Sequence, residues 1–386
     1  MRHNHKKFFQ ATAVMLGYII GVGMFGMPYL MQESGVVSFL FFMAILVPVQ
    51  FLVHMMYASL ILSTREYHRM PGYAGLYIGK KMKNLVFVTK VFGNWGGLLA
   101  YIIITGSFMF TLFEPIFGGN EFFYATLVYI IEIVIIFFGI GMIAKVELGM
   151  TFLLLFAVTL ILLKGGNYIN VENLNLMGRG GAFFLPYGAM LMALDGNGAL
   201  PIVTRLVKRD AKMIRRVILY STLIVAMLLL VFTFSIAGIT GDATTQNALS
   251  GLEELLDGVV LVSIIFGVIC MITSFIGVAE SIKETFSWDY GYGEKTSFLL
   301  AVFIPYILYL LGFSDLIEVI SFVGAVGGGF SAILMVIIFR KIRNKRGVKK
   351  MFKYRPNTLV QGLLICIFVL GIVYSLWDFF SNLQIG

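Results

Sequence analysis

Gly17-Tyr18-Ile19-Ile20-Gly21-Val22-Gly23-Met24-Phe25-Gly26-Met27-Pro28 interrupts the first apolar stretch of the chain. A membrane helix keeps its backbone groups bonded to one another because lipid offers no partners. Broken backbone at that depth is tolerated only where it faces a cavity or buried protein. Glycines at 21, 23 and 26 with a proline at 28 therefore point to a site. Gly21 to Gly26 also spells G-x-G-x-x-G, the dinucleotide pattern, but that reading needs a preceding strand in a βαβ unit. Here the flanks are a membrane span.

Composition agrees. Of 386 residues, 59% are hydrophobic and 13% charged, against about 25% charged in an ordinary soluble domain. Apolar segments long enough to cross a bilayer fall at 9–31, 36–62, 87–113, 122–143, 147–163, 182–204, 217–239, 258–282, 297–313, 316–339 and 359–380, which makes eleven spans. The chain is read as one all-α, polytopic domain over 1–386. With the N-terminus in the cytoplasm, only Lys164 and Arg179 of the 29 Lys and Arg fall outside. That one-sidedness follows the positive-inside rule and puts the C-terminus outside. The net charge of +9 then sits beside anionic lipid, and nucleic acid needs no role. The apolar run behind Arg2-His3-Asn4-His5-Lys6-Lys7 is too long for a cleaved signal and reads as a retained span. Cys270 and Cys366 read as packing residues, and His3, His5, His54 and His68 show no ligand spacing. The outer loop 240–257 suggests a short amphipathic helix around Leu252, Leu255 and Leu256.

Spans 1–5 begin inside and spans 6–10 begin outside, as an inverted repeat requires. Span 6 is broken like span 1: Gly196-x-Gly198 answers Gly21-x-Gly23, and Pro201 answers Pro28. Each break starts about a dozen residues into its span, roughly 18 Å deep at 1.5 Å per residue, near the midplane. Paired interrupted helices in two halves point to a transporter site. The amides after Gly23, on Met24, Phe25 and Gly26, become donors at a positive dipole end, suited to a carboxylate. Free carbonyls before each break suit a cation or an ammonium. Together they describe a receptor for a zwitterion.

Asp195 lies in the second break, where it can hold a substrate ammonium, carry a coupling proton or bond the loosened backbone. Glu132 lies midway in span 4, neutral or paired with a tyrosine, and Glu280 lies within reach of Lys283 or water. Thr273-Ser274 in span 8 offers two adjacent hydroxyls to a small hard cation, or to its own helix.

On these residues the chain resembles the amino acid/auxin permease group of the amino acid–polyamine–organocation superfamily, especially its bacterial hydroxy- and aromatic-amino-acid permease branch. The resemblance rests on Ile20 to Pro28 in span 1, Gly196-Asn197-Gly198-x-x-Pro201 in span 6 and Thr273-Ser274-Phe275-Ile276-Gly277-Val278 in span 8. It implies a leucine-transporter-type fold with 5+5 inverted repeats (9–163 and 182–339), an extra helix at 359–380, and broken helices 1 and 6. It also implies alternating access, with the substrate between helices 1 and 6 and flanked by helices 3 and 8. By resemblance, a sodium ion would meet the carbonyls of Gly17, Ile20 and Cys270 and the hydroxyls of Thr273 and Ser274. Some relatives use protons instead; one kind has a lysine in helix 5, which is missing from the middle of span 5 here. Branch members often carry His where this chain has Asp195, and an acid there would favour a cationic amino acid or act in proton coupling.

The expectation is a secondary active amino acid transporter of the plasma (cell inner) membrane, driven by sodium or protons, with no cofactor. The carboxylate is placed on the amides of Gly23, Met24, Phe25 and Gly26, beside Gly21, and the ammonium on carbonyls near Ile20 and Ala193, with Asp195 and Gly196. Trp95, Tyr101 and Thr105 of span 3 are the candidates for side-chain selectivity. The alternatives are a carrier of a nucleobase or organic cation on the same fold, and a sensor without net transport. The sequence offers no nucleophile–base pair for an enzyme.

Overall fold

Gly21 adopts extended backbone, with φ −150° and ψ −156°, and ends one helix just before the next begins. Helices α1 (Arg2–Ile19) and α2 (Val22–Ser34) meet there at a bend of 54°. The computed structural model describes residues 2–138, 156–180 and 182–383, and among them every regular element is helical.

Long apolar helices follow: α3 (Val36–Ser63), a short α4 (Met70–Tyr77), α5 (Lys80–Phe117) and α6 (Glu121–Phe138). The helical stretch 156–165 is α7. The second break separates α8 (Pro186–Ala193) from α9 (Leu200–Leu206). Then come α10 (Ala211–Thr240), α11 (Glu253–Glu284), α12 (Glu294–Leu310), α13 (Leu316–Phe322), α14 (Gly329–Ile342), the short α15 (Arg346–Met351) and α16 (Thr358–Leu383). A π-helical segment, Val323–Gly328, joins α13 to α14.

Among the described residues, six helices are long and apolar enough to cross a membrane, and the bent α1–α2 pair makes seven. The second broken span falls short because its pieces have eight and seven residues. The expected turn at Lys145 and most of span 5 lie outside the described residues. The expected amphipathic helix in the loop 240–257 is replaced by two 3-10 turns, Gly241–Ala243 and Ser250–Leu252, and α11 already starts at Glu253. Outward faces stay apolar: Leu219, Tyr220, Leu223 and Met227 of α10 are exposed along one side. An apolar stripe of that length suits lipid rather than water.

Inside, α2 packs against α8 and α10. The rings of Phe25, Phe108 and Phe232, all buried, meet edge to face at 5.2 and 5.8 Å around Phe25. A methyl group on Gly23 would come within 2.9 Å of Ala193, so the two broken helices touch backbone to backbone beside their breaks. The turn between α2 and α3 is made by Gly35, whose φ of +88° needs glycine. The loop from 173 to 179 clasps that turn: Val36 N–H donates to Asn175 O (2.9 Å) and Gln32 Nε2 to Asn173 O (2.8 Å).

Candidate functional site

A cavity of about 110 Å³ lies where the two breaks face α5, α11 and the π-helical segment. One stripe of α5 lines it: Lys90, Gly93, Asn94, Gly97 and Tyr101, the i, i+3, i+4 spacing of a single helix face. Of the expected substrate residues, Gly21, Gly23, Tyr101 and Asp195 come together on its wall.

The second break is nearly fully satisfied, as buried backbone must be. Gly196 N–H donates to Nε2 of His54 at 2.9 Å, from the middle of α3. One turn earlier on α3, Gln50 Nε2 donates to Leu191 O at 3.1 Å. Asp195 Oδ1 accepts the Asn197 N–H at 2.9 Å and the Asn197 side-chain amide at 2.5 Å. Its other oxygen, Oδ2, lies 3.4 Å from Lys90 Nζ. The two side chains keep 28% and 19% of their surface open, enough for the pair to face the cavity.

At the first break, Met24 N–H turns back to Gly21 O at 3.1 Å. The Val22 N–H meets the Tyr101 hydroxyl, so the amide left at the start of α2 is that of Gly23, on the cavity wall. The expected donors at Phe25 and Gly26 fall instead inside the helical ladder of α2. Phe25 faces Phe108 and Phe232, and Gly26 faces Ile317 and Ile320. Ile20, Ala193 and Gly196 stand just behind the wall; Gly196 packs on Met15 and Ile19. The Tyr101 hydroxyl sits against Gly21, next to the Val22 amide and the Ser274 hydroxyl.

On α11, Thr273 Oγ1 donates to Cys270 O at 2.9 Å, within its own helix. Tyr18 at the end of α1 reaches Gly277 O at 3.5 Å. Trp95 donates to Leu300 O at 3.0 Å and so packs on α12, while Thr105 bonds back to Tyr101 O. Glu280 pairs with Lys283 at 3.3 Å. Glu132 is fully buried, and neither carboxylate oxygen has a hydrogen-bond partner among the described residues. Arg69 Nε donates to Glu284 Oε2 at 2.9 Å and Arg69 Nη1 to Gly198 O at 3.1 Å, joining the α4 entrance, the second break and α11.

Sequence reasoning missed Lys90, His54, Gln50 and Arg69. A count of cytoplasmic Lys and Arg takes in Lys90 and Arg69 without setting either apart. Gln50 and His54 carried a readable signal: two polar residues at i, i+4 in the middle of a 28-residue apolar helix.

This arrangement is a transporter fold. The chain aligns with the crystal structure of MhsT in complex with L-phenylalanine at a TM-score of 0.65 and 13% identity, covering 96% of this chain and 98% of that one. It aligns with Mhp1, a nucleobase-cation-symport-1 family transporter in a closed conformation with bromovinylhydantoin bound, at a TM-score of 0.61 and 13% identity, covering 95% and 91%. Residues 4–378 match the tryptophan/tyrosine permease family, and the chain belongs to that family. It is an amino acid transporter of the membrane, not an enzyme. No curated protein matches it in sequence.

Proposed function

We propose that the chain is an ion-coupled carrier of aromatic amino acids, of the hydroxy/aromatic branch of the amino acid/auxin permease group, working by alternating access. The observation that carries this is the meeting of two broken helices, Gly23 against Ala193, beside a cavity walled by main chain and one ion pair. The phenylalanine in the MhsT structure supports the same class of cargo. The cargo carboxylate meets the amide of Gly23 at the positive end of α2, beside the Tyr101 hydroxyl that holds the Val22 amide. Its ammonium meets carbonyls near Ile20 and Ala193, with Asp195 alongside.

The proposed frame has eleven spans, with 9–163 and 182–339 as inverted five-helix repeats and 359–380 as an addition. The N-terminus faces the cytoplasm, the C-terminus faces out, and the membrane is the cell inner membrane. The coupling ion is sodium or a proton. A sodium ion would sit among the carbonyls of Gly17, Ile20 and Cys270 and the hydroxyls of Thr273 and Ser274; these are hard oxygen donors.

Uptake of a labelled panel of amino acids and nucleobases into proteoliposomes, crossed against sodium-only and proton-only gradients, tests the reading. Accumulation of an aromatic amino acid under one gradient is expected. Binding without accumulation under either would favour a sensor, and accumulation of nucleobases alone would favour the other carrier class. Thr273→Ala combined with Ser274→Ala should abolish sodium stimulation; unchanged stimulation removes the ion assignment.

A further inference from the structure

Lys90 and Asp195 are the two charged side chains among the residues lining the cavity. They come from different elements, the third turn of α5 and the second break, and stand 3.4 Å apart. The opposite oxygen of Asp195 is already held by Asn197, so its remaining lone pairs point toward Lys90. A carboxylate at this depth without a counter-charge would draw a cation, since attraction grows as water is excluded.

We propose that Lys90 is the residue that fixes the net charge of the cargo. It cancels Asp195, makes the cavity wall electrically neutral, and so confines transport to zwitterionic amino acids. Asp195 by itself would suit a cationic amino acid, but the pair does not. The inference rests on the amino acid reading above and adds a specificity residue to it. Lys90 stands one turn before Gly93 and Asn94 on the lining stripe, so the pair shares the cavity with the rest of that stripe. Asn94 is neutral, and the other lining residues bring no compensating charge.

The test uses three probes of one skeleton against uptake of labelled tryptophan: tryptophan itself, tryptamine (net +1) and indole-3-propionate (net −1). In the wild type, both charged probes should compete poorly. Lys90→Met should sharpen competition by tryptamine on the order of tenfold, the scale of one partly solvated charge. Asp195→Asn should do the reverse and favour indole-3-propionate. The double variant, with both charges gone, should return to the wild-type ranking, and Lys90→Arg should keep it. If both single variants rank the probes as the wild type does, the inference is overturned. Where Lys90→Met does not reach the membrane, Asp195→Asn carries the same test with the opposite sign. Wild-type protein that accumulates no amino acid would sink the carrier reading instead. Thermal stabilisation by the three probes would still report the charge preference.

Discussion

Nε2 of His54 accepts the backbone N–H of Gly196 at 2.9 Å, so a side chain of α3 caps the second break. The imidazole is fully buried and acts there as an acceptor. His54→Ala leaves that N–H unpaired, at a cost of roughly 1–3 kcal/mol. A lower unfolding temperature and weaker uptake are expected, and His54→Gln, whose amide oxygen also accepts, should recover part of both. Equal losses in the two variants would rule out the cap.

Gly21 makes room for the Tyr101 hydroxyl, which occupies the space a methyl group would need. Gly21→Ala should therefore displace the ring and abolish transport. Adding Tyr101→Phe removes the colliding oxygen, and the next ring atom lies at 3.4 Å, an ordinary contact. Partial return of uptake in the double variant, read in vesicles at matched expression, is the expected outcome. No return would place the effect of Gly21→Ala in the backbone.

Glu132 is buried with both oxygens unpartnered among the described residues. An unsatisfied buried polar group costs roughly 1–3 kcal/mol, and an apolar replacement of similar shape removes that cost. Glu132→Leu should melt at the wild-type temperature or above it. A clear drop in melting temperature would show that the carboxyl has a partner that matters.

Arg69 ties Glu284 to the carbonyl of Gly198. Removing one member of a buried pair strands the other, typically at about 3–5 kcal/mol. Here Glu284 keeps some solvent, which lowers the cost. Arg69→Ala should loosen the contact between the second break and α11. A cysteine placed at Ser281, on the cavity wall, should then react faster with a membrane-impermeant thiol reagent applied from the side of the membrane on which α4 lies. Unchanged labelling would mean that the contact does not close the cavity.

Much of this was readable from residue order. The two glycine breaks and their meeting follow from backbone chemistry in lipid, which sequence reports directly. The donors at the first break stand nearer its start than residue order alone suggests. The reason is local: Gly21 is extended, α2 begins at Val22, and Phe25 and Gly26 are already inside its ladder. Lys90 was not legible as a site residue, since its meeting with Asp195 is a contact across 105 positions. A topology count treats every lysine near a helix end alike. His54 stands out as a polar residue in an apolar helix, but its partner does not, because a backbone amide has no letter in the sequence.

Eight of the twenty residues around the cavity are glycine, among them Gly21, Gly23, Gly93 and Gly97. At those places the wall is bare main chain. Substitution can only thicken such a wall, never thin it. Gly97 faces nothing nearer than 3.8 Å, so it alone of these four has room for a methyl group to be added without collision. From the α5 side the chamber can therefore be narrowed at Gly97, while room for larger cargo must come from the side chains elsewhere on the wall, such as Met192 and Val323.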